Sequence, residues 1–494
     1  MSTAPSSPQA AAGVRQHDVE AVNDPIKRKL YKKREPIYPK LVHGKFRLAK
    51  WVFMILALGA YYFIPFLRWD RGASAPDQAV LIDFEGRRFY FFFIEIWPQE
   101  IYYISGLLII AALALFLVSA LFGRVWCGYA CPQTVWTDLF IAVERLFEGD
   151  RNKRIKLDRA KWSVDKAWRK AGKHAVWLVI AAATGGAWIL YFHDAYETIG
   201  NFFTGQAAVS AYLFFGILTF TTYTLAGTMR EQVCTYMCPW PRIQAAMTDR
   251  DALNVVYRVD RGEPRGPHKK GESWDGRGDC IDCKACVAAC PMGIDIRNGS
   301  QLECIQCALC IDACDDIMTK VERPTGLIAY DTDVNIDRRQ RGEPPVYRFL
   351  RPRVLVYGLA LAIAAAIMLA GLTTRATLDV NVTRDRNPNF VQLSDGSIRN
   401  GYTLKVINRT HADAVYDIAI DGPEGLDWRI LGQEADRGLT VDVPAERTQD
   451  FRIFLTLAPD SVTSANAPVR FTVRPQGSDE SRTANTVFLT GATR

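Results

Sequence analysis

The sequence predicts a multi-domain membrane protein with five transmembrane α-helices, a cytoplasmic cysteine-rich insert and a C-terminal all-β sandwich. Three observations carry this prediction. Five apolar segments are long enough to cross about 30 Å of hydrocarbon as helices. Eight of the twelve cysteines lie within residues 280–314. Residues 373–494 alternate polar and apolar side chains in short runs that turn residues separate. At 494 residues the chain has room for two or three domains.

The chain opens with a polar, basic leader, residues 1–49. Residues 1 to about 24 are rich in Ala, Ser, Pro and Gln, a composition typical of disorder, and a dense basic run follows from Lys27 to Arg34. No secretory signal is expected, because the first apolar run begins near Lys50. The formal charge of +7 is spread over the loops between apolar runs, so no nucleic-acid partner is predicted.

The five predicted spans contain no Asp, Glu, Lys or Arg, as is expected of helices that face lipid. They are Trp51–Leu67, Ile101–Phe122, Ala175–Phe192, Ala207–Thr228 and Val354–Leu372. Four of them fall in residues 50–260, and the fifth forms residues 354–372. Lysine and arginine crowd the leader and the loop 123–174, whereas the loop 194–206 has neither. The distribution of positive charge therefore places the leader, this loop and residues 229–353 in the cytoplasm, and the chain after the fifth span outside.

A run of aromatic residues from Arg87 to Tyr103 precedes the second span and has two interpretations. It is an aromatic belt at the outer membrane interface, or it lines a quinol pocket in which Glu95 or Glu100 takes up protons. The polar linkers 261–278 and 323–353 are predicted to tether the cysteine-rich insert loosely to its flanking spans.

The insert, residues 261–353 with its linkers, is predicted to be a ferredoxin-like domain with two [4Fe-4S] clusters. Its cysteines repeat with one spacing, Cys280-x2-Cys283-x2-Cys286-x3-Cys290 and then Cys304-x2-Cys307-x2-Cys310-x3-Cys314. In this spacing three close thiolates bind one cubane and the fourth binds the neighbouring cubane. One cluster is expected on Cys280, Cys283, Cys286 and Cys314, and the other on Cys304, Cys307, Cys310 and Cys290. Structural zinc does not explain the third and fourth cysteines, and a disulfide knot needs an oxidising compartment. The sequence therefore indicates electron transfer.

The other four cysteines form a second repeat, Cys-x-Tyr-x-Cys-Pro. Cys127 and Cys131 follow the second span, Cys234 and Cys238 follow the fourth, and an arginine precedes each pair. If each pair lies on a helix, its thiols share one face. If the proline begins the next helix, Cys131 and Cys238 are N-caps, where the helix dipole favours thiolate. Either arrangement offers soft ligands that select Cu(I), zinc or iron–sulfur clusters. The alternative is that these are buried cysteines acting as small apolar residues.

Residues 373–494 contain no cysteine and are predicted to form an immunoglobulin-like sandwich outside the cytoplasm. Seven segments have the alternating polarity of strands: Leu378–Val382, Tyr402–Ile407, Val415–Ile420, Leu439–Val443, Phe451–Leu457, Val469–Val473 and Val487–Leu489. Another small β-barrel is the alternative, because the Cys-Trp-Cys signature of immunoglobulin domains is missing.

Together these parts closely resemble the cytochrome c oxidase accessory protein family CcoG, also called FixG or Rdx. The resemblance covers nearly the whole chain, and it includes the paired Cys-x3-Cys-Pro motifs, the dicluster segment and the C-terminal domain. It implies a cupric reductase of the bacterial inner membrane, with a periplasmic C-terminal domain, that makes Cu(I) for the copper centre of a cbb(3)-type oxidase. It also implies that copper binds, and is reduced, at Cys127, Cys131, Cys234 and Cys238. Asp315 departs from the ferredoxin pattern, which has proline there.

The expected partners are the membrane, copper, oxidase assembly factors or copper transporters and chaperones, and a second copy of the chain. No nucleotide-binding loop occurs in the sequence, so electrons must come from a separate reductase, a ferredoxin-like donor or quinol. Two other functions stay open at this point. One is a quinol-dehydrogenase polyferredoxin subunit of an anaerobic respiratory chain, and the other is a copper chaperone or assembly scaffold without redox activity.

Overall fold

The computed structural model describes residues 14, 16–23, 35–72, 75–269, 271–410, 412–432, 440–461, 465–478 and 480–490. The chain divides into two compact units, Met1–Leu67 with Gln78–Met368, and Arg68–Asp77 with Leu369–Arg494. All twelve cysteines lie in the first of these, which we call the larger unit. The basic run predicted at 27–34 lies outside the described residues.

The larger unit is mainly helical. Its helices are α1 (Lys45–Phe63), α2 (Tyr102–Phe122), α3 (Val125–Tyr129), α4 (Pro132–Glu148), α5 (Arg151–Arg159), α6 (Val164–Ile189), α7 (Ala195–Thr204), α8 (Val209–Thr222), α9 (Trp240–Met247), α10 (Val259–Gly262), α11 (Ala285–Ala289), α12 (Leu309–Lys320), α13 (Asp333–Gln340) and α14 (Pro352–Thr373). Two π-helical segments, Tyr223–Met229 and Val233–Met237, follow α8. Such wide turns are rare and are often found at functional sites.

Within the described residues, four helical stretches are long and apolar enough to cross a membrane. They are Lys45–Phe66, Pro98–Phe122, Val209–Met229 and Pro352–Thr373, and they correspond to the first, second, fourth and fifth predicted spans. The third predicted span lies mostly in α6, which is helical but is not one of these four. The N-terminal part of α6 is polar, because it begins at a Ser163 cap and carries Lys166, Lys170 and Lys173. Five spans are therefore not confirmed.

The start of α1 is held by the cysteine-rich part of the chain. The Asp312 carboxylate on α12 accepts hydrogen bonds from the backbone N–H groups of Phe46 (3.2 Å) and Arg47 (2.7 Å). The Arg47 guanidinium donates two bonds to Asp138 on α4, at 2.8 and 3.0 Å. The Asp312 carboxylate thus gives the first N–H groups of α1 an acceptor, and the Arg47–Asp138 pair joins the start of α1 to α4.

The aromatic run before α2 forms a three-stranded antiparallel sheet of β1 (Val80–Asp83), β2 (Arg88–Phe91) and β3 (Ile94–Ile96). Glu95 is paired with Arg88 at 2.8 Å, and Glu100 accepts a hydrogen bond from the Trp97 backbone N–H at 3.2 Å. Both acids thus have a role in holding this segment together. The choice between a belt and a quinol pocket stays open.

Part of the second predicted linker, residues 328–339, is built into the cysteine-rich module. Strand β4 (Asn254–Tyr257) pairs antiparallel with β5 (Ile328–Asp331), which joins the two ends of the module. Asp331 is fully buried and pairs with Arg258 at 3.2 Å and with Arg339. The prediction of a loose linker was wrong for residues 328–339, because polar composition alone does not reveal buried ion pairs.

The predicted disorder of the leader was wrong for residues 16–23. The backbone N–H of His17 donates to the carbonyl of Cys283 at 3.0 Å, and the Asn23 side chain donates to that of Met292 at 2.7 Å. Val14 and Asn23 are only 5% and 7% exposed. The leader therefore packs over the first cysteine loop. Residues 1–13, 15 and 24 lie outside the described part of the chain.

The smaller unit contains two antiparallel sheets. One has the order β10-β12-β8-β6 with β7 beside β8, and the other has the order β11-β9-β13-β14. The strands are β6 (Leu378–Arg384), β7 (Val391–Gln392), β8 (Ile398–Asn408), β9 (Ala414–Asp421), β10 (Leu426–Ile430), β11 (Thr440–Val443), β12 (Thr448–Leu457), β13 (Asn466–Pro475) and β14 (Arg482–Leu489). All seven predicted strands are present. The short strands β7 and β10 were missed, and β10 lies at a sheet edge with little of its surface buried.

The core of this unit gives a direct test of its independence. Phe471 is fully buried, and its ring lies 5.6 Å from that of Tyr402. We expect Phe471→Ala to destabilise the smaller unit by about 3–5 kcal/mol, because it removes a large buried ring. Denaturant unfolding followed by far-UV circular dichroism measures this change. Phe390→Ala, at a site 38% exposed, is the matched control and should have little effect. Loss of iron from Phe471→Ala would contradict the independence of the two units.

Candidate functional site

The two cysteine loops of the module share one backbone conformation. Asp282 and Lys284 in the first loop, and Gln306 and Ala308 at the equivalent positions of the second, have φ between 51° and 60°. Residues other than glycine rarely adopt such angles without a functional reason. Turns of this kind direct backbone N–H groups at an anion, as around many iron–sulfur clusters. The Gln306 N–H indeed donates to Cys304 Sγ at 3.4 Å.

The fourth cysteine of each loop lies beside the close cysteines of the other loop. Burial raises the pKa of the Cys314 thiol well above its usual value, and three neighbouring thiols raise it further: Cys286, Cys283 and Cys280. Burial raises the pKa of Cys290 to about 12, and the thiols that add to this effect are Cys307 and Cys304. The structure thus brings together the two sets of four cysteines that the spacing predicts. Their assignment as cluster ligands stays a prediction.

The two fourth cysteines are positioned differently because different residues follow them. Helix α11 ends at Ala289 with Cys290 as its C-cap, and Pro291 follows. Helix α12 instead continues through Cys314 to Lys320, because Asp315 can stay in a helix where proline would break it. The Asp315 carboxylate accepts a hydrogen bond from the Gly326 N–H at 2.8 Å. The departure from the ferredoxin pattern lengthens the helix and leaves Cys314 beside its partners.

The two Cys-x-Tyr-x-Cys-Pro motifs have related but unequal backbones. In the first motif Cys127 lies in α3, and Cys131 is the N-cap of α4 with Pro132 at the first helical position. In the second motif Cys234 lies in the π-helical segment Val233–Met237, and Cys238 is extended. Pro239, not Cys238, is the N-cap of α9. The N-cap interpretation therefore holds for Cys131 and is off by one residue for Cys238.

The four thiols of the two motifs, which we call the thiol group, lie close together. Burial raises the pKa of Cys127 to about 12, and the other thiols of the group, Cys131, Cys234 and Cys238, raise it further. Burial also raises the pKa of Cys234 to about 12, with Cys131 and Cys238 adding to it. Cys238 is exposed, whereas the other three are partly buried. An ion arriving from solvent can therefore reach the group through Cys238.

Hydrogen bonds join each motif to the helix of the other. Cys127 Sγ donates to Gln244 Oε1 on α9 at 3.2 Å, and Gln244 is fully buried. In the opposite direction, Gln133 on α4 donates to the carbonyls of Leu225 (2.9 Å) and Arg230 (3.2 Å) before the second motif. These bonds fix the distance between the two duplicated motifs.

The first motif packs directly against the second cysteine loop. A Cβ on Gly128 would lie 2.8 Å from the carbonyl oxygen of Ile305 and 3.0 Å from Cys307 Cα, so only glycine fits there. The Tyr129 hydroxyl donates to the Cys307 carbonyl at 3.3 Å. The Arg124 backbone N–H donates to Gln306 Oε1 at 2.7 Å, and its guanidinium donates to the Cys304 carbonyl at 3.3 Å. The thiol group is therefore adjacent to one cluster loop.

The geometry of the thiols bears on which metal group each set fits. None of the twelve cysteines forms a disulfide. In the described part of the chain, no three His, Cys, Asp or Glu side chains converge on a position for a single metal ion. A cubane suits the cluster loops, because its thiolates bind different irons and need not converge. Five of the loop cysteines line one small cavity: Cys286, Cys290, Cys304, Cys307 and Cys310.

Comparisons with known proteins identify the parts described above. Residues 104–154 match the family described as 4Fe-4S binding domain, and residues 229–333 match the 4Fe-4S dicluster domain. Residues 368–491 match the family described as an IG-like fold at the C-terminal of FixG. The nitrogen fixation protein FixG of Rhizobium meliloti is 50% identical, covering 91% of this chain and 92% of that protein. The chain belongs to the FixG/Rdx family.

Two further members of the FixG/Rdx family come from Cereibacter sphaeroides. Protein RdxB is 51% identical, covering 86% of this chain and 90% of its own, and protein RdxA is 50% identical, covering 91% and 96%. The resemblance noted in the sequence is thus confirmed. The chain is an iron–sulfur protein with apolar helices fit for a membrane and an immunoglobulin-like C-terminal domain.

Some residues of this FixG/Rdx site were missed by sequence reasoning. Gln244 and Gln306 carried no signal, because a glutamine can be recognised as a hydrogen-bonding partner only once its neighbours are known. Gly128 carried a weak signal as a glycine inside a helical motif. The repeated arginine before each motif did point to Arg124 and Arg230. Their contacts with the cluster loop and with Glu144 required the structure.

Proposed function

We propose that this FixG/Rdx protein is a membrane-bound cupric reductase that converts Cu(II) to Cu(I) for copper-centre assembly of a cbb(3)-type cytochrome c oxidase. The observation that carries the proposal is the packing of Gly128 and Tyr129, between two cysteines of the thiol group, against the cluster loop at Cys307. An electron donor and a group of soft ligands adjoin each other there. Bound [4Fe-4S] clusters supply one-electron redox chemistry, and each electron delivered converts one Cu(II) to one Cu(I).

The thiol group is suited to the reduced product. Thiolates are soft ligands that bind Cu(I) in preference to hard cations, so they favour reduction of Cu(II). The exposed Cys238 receives the ion, and the partly buried Cys127, Cys131 and Cys234 offer it a less hydrated environment. Since no three thiols converge on one point, copper binds to two of them or the motifs close around it. A site that is not fully formed also releases its product readily, as a supplier of Cu(I) must.

The two clusters have different roles in this proposal. Arg124, Gly128 and Tyr129 all contact the loop of Cys304 and Cys307, so this loop adjoins the thiol group. A cluster held there by Cys304, Cys307, Cys310 and Cys290 would supply one-electron reduction next to the copper ligands. Cys280, Cys283, Cys286 and Cys314 would hold the other cluster, which would supply the same chemistry towards the electron donor.

The proposed arrangement in the membrane has five spans, with α6 supplying the third. The leader, the thiol group and the clusters face the cytoplasm of a bacterial cell, where thiols stay reduced. The cysteine-free C-terminal domain is then periplasmic and is available to oxidase assembly factors or copper carriers. We also propose that the protein forms a homodimer, which a measurement of the mass of the purified protein tests.

One experiment separates this function from its alternatives. The protein is purified without oxygen, its clusters are reduced and their visible absorbance is followed while Cu(II) is added with a Cu(I)-specific chelator. The proposal predicts loss of the reduced-cluster signal with one Cu(I) formed per electron. Reoxidation by a quinone but not by Cu(II) would identify a quinol-dehydrogenase subunit instead. Absence of any redox response to either would leave a copper chaperone or scaffold.

A further inference from the structure

A second candidate binding site lies apart from the cysteines, between α4, α5, α6 and the π-helical segment Tyr223–Met229. It is a cavity of about 500 Å³, within the range of small-molecule sites. Apolar groups form part of its wall, among them Trp177 and Ile37. The proposed reaction does not use this cavity.

Charged side chains form much of the rest of the wall. Four cations and three anions line it: Arg154, Lys170, Lys173 and Arg230, with Glu144, Glu148 and Asp158. The Lys173 ammonium lies 2.9 Å from Glu148, and Lys170 lies 3.0 Å from Glu148 and 2.5 Å from Asp158. Arg154 and Arg230 both pair with Glu144. The lining thus carries one positive charge more than its acids neutralise.

Arg154 is a cation of this lining with buried donors that the lining does not satisfy. Its side chain is 2% exposed and lines the cavity, and its Nη2 donates to Glu144. Its Nε and Nη1 groups have no hydrogen-bond partner, and the closest acid to Nε is Glu148 at 3.9 Å. Buried guanidinium N–H groups without acceptors are unfavourable. The cavity therefore leaves the Nε and Nη1 groups of Arg154 without a hydrogen-bond acceptor.

We propose that this cavity binds a phosphate group, carried either by an anionic phospholipid headgroup or by a soluble phosphate compound. Phosphate oxygens match the planar fork of arginine, and its negative charge balances the excess of the lining. The site lies beside the last turns of Val209–Met229, a stretch apolar enough for a membrane, where headgroups are within reach. The seven charged side chains make the cavity unsuitable for a quinone ring, which prefers an apolar pocket.

The test measures binding and does not depend on copper reduction. In the first arm, full-length protein in phosphatidylcholine nanodiscs is titrated with inorganic phosphate. In the second arm, protein in phosphatidylcholine nanodiscs is compared with protein in nanodiscs that contain phosphatidylglycerol. Tryptophan fluorescence reports the melting temperature of the protein in both arms. Native mass spectrometry then counts retained phospholipid. We expect a higher melting temperature with at least one of the two probes. A response to phosphatidylglycerol alone identifies a headgroup, and a response to inorganic phosphate identifies a soluble ligand.

Three variants assign the response to the cavity. Arg154→Gln should weaken the effect of the active probe at least tenfold. Lys170→Gln should do the same, and it serves as the second variant if Arg154→Gln fails to fold. The Lys170 side chain is 21% exposed, so its replacement disturbs the fold less. Lys156→Gln, on the exposed side of α5, is the matched control and should respond like the wild type. No response of the wild-type protein, an equal response of all variants, or a quinone retained in place of phosphate would overturn the proposal. Loss of phosphate binding with intact copper reduction would leave the proposed function standing.

Discussion

Replacing Cys127 and Cys234 together with serine should reduce the rate of Cu(II) reduction by more than about 100-fold. Changes in the supporting residues of metal sites already weaken them by about 10–100-fold, and here two soft ligands themselves are exchanged for hard hydroxyls. Both thiols are partly buried and lie next to the remaining two, so copper that binds to the thiol group lies beside the changed positions. The measurement is anaerobic formation of Cu(I) by the chemically reduced protein, with visible absorbance and iron content determined on the same sample.

The iron content decides how this result is interpreted. We expect it to equal that of the wild-type protein, because the eight loop cysteines lie outside the two motifs. Met237→Leu is a suitable control, since it removes an exposed sulfur next to Cys238 without touching a thiol. The competing hypothesis is that the motif cysteines bind iron, because residues 104–154, which include Cys127 and Cys131, match a 4Fe-4S binding domain. A fall in iron content in the double variant would mean that the motif cysteines bind iron and that the copper assignment is wrong.

Gly128→Ala should slow electron delivery while both clusters remain. The added Cβ would meet backbone atoms of Ile305, Gln306 and Cys307 at 2.8–3.0 Å, and backbone cannot rotate away as a side chain can. The first motif and the cluster loop must then move apart. Overpacking of this kind costs about 1–3 kcal/mol, and a displacement of about 1 Å between reacting groups can cost about 10²-fold in rate. Stopped-flow reoxidation of the reduced clusters by Cu(II) measures the change.

The matched control is Gly216→Ala on α8, where an added Cβ meets nothing within 4 Å. It should keep the wild-type rate. Wild-type kinetics in Gly128→Ala, with unchanged spectra, would show that electrons reach copper by another route. A lower copper affinity with an unchanged rate of cluster reoxidation would show that the glycine shapes the thiol group and not its contact with the loop.

The cysteine spacing predicted more of this site than any other pattern in the sequence. Ligand spacing is set by local geometry, so Cys280 to Cys290 and Cys304 to Cys314 could be interpreted without knowing the fold. The duplication of the motif is matched by four thiols that lie close together, although no three of them converge on one point in the described residues. What spacing could not predict was the contact of Gly128 with Cys307, because it joins residues far apart in sequence through tertiary packing.

The unconfirmed third span and the wrong linker prediction have a related physical cause. The segment Ala175–Phe192 was treated separately from the polar turn before it, whereas the structure makes one helix of both from Val164. The linker at 323–353 is polar because its charged groups meet partners, such as Asp331 with Arg258 and Arg339. Composition reports how many charges a segment has. It does not report whether they are neutralised inside the fold.

The cap on α1 has a consequence for the order of biosynthesis. Asp312 lies 265 residues beyond Arg47 in the chain, so the ribosome releases α1 long before it makes the residue that accepts its first N–H groups. Until then water must satisfy these groups. They acquire their permanent acceptor only when the helix that carries Cys310 and Cys314 has folded. A chain in which α12 has not folded therefore lacks the protein acceptor for the first N–H groups of α1.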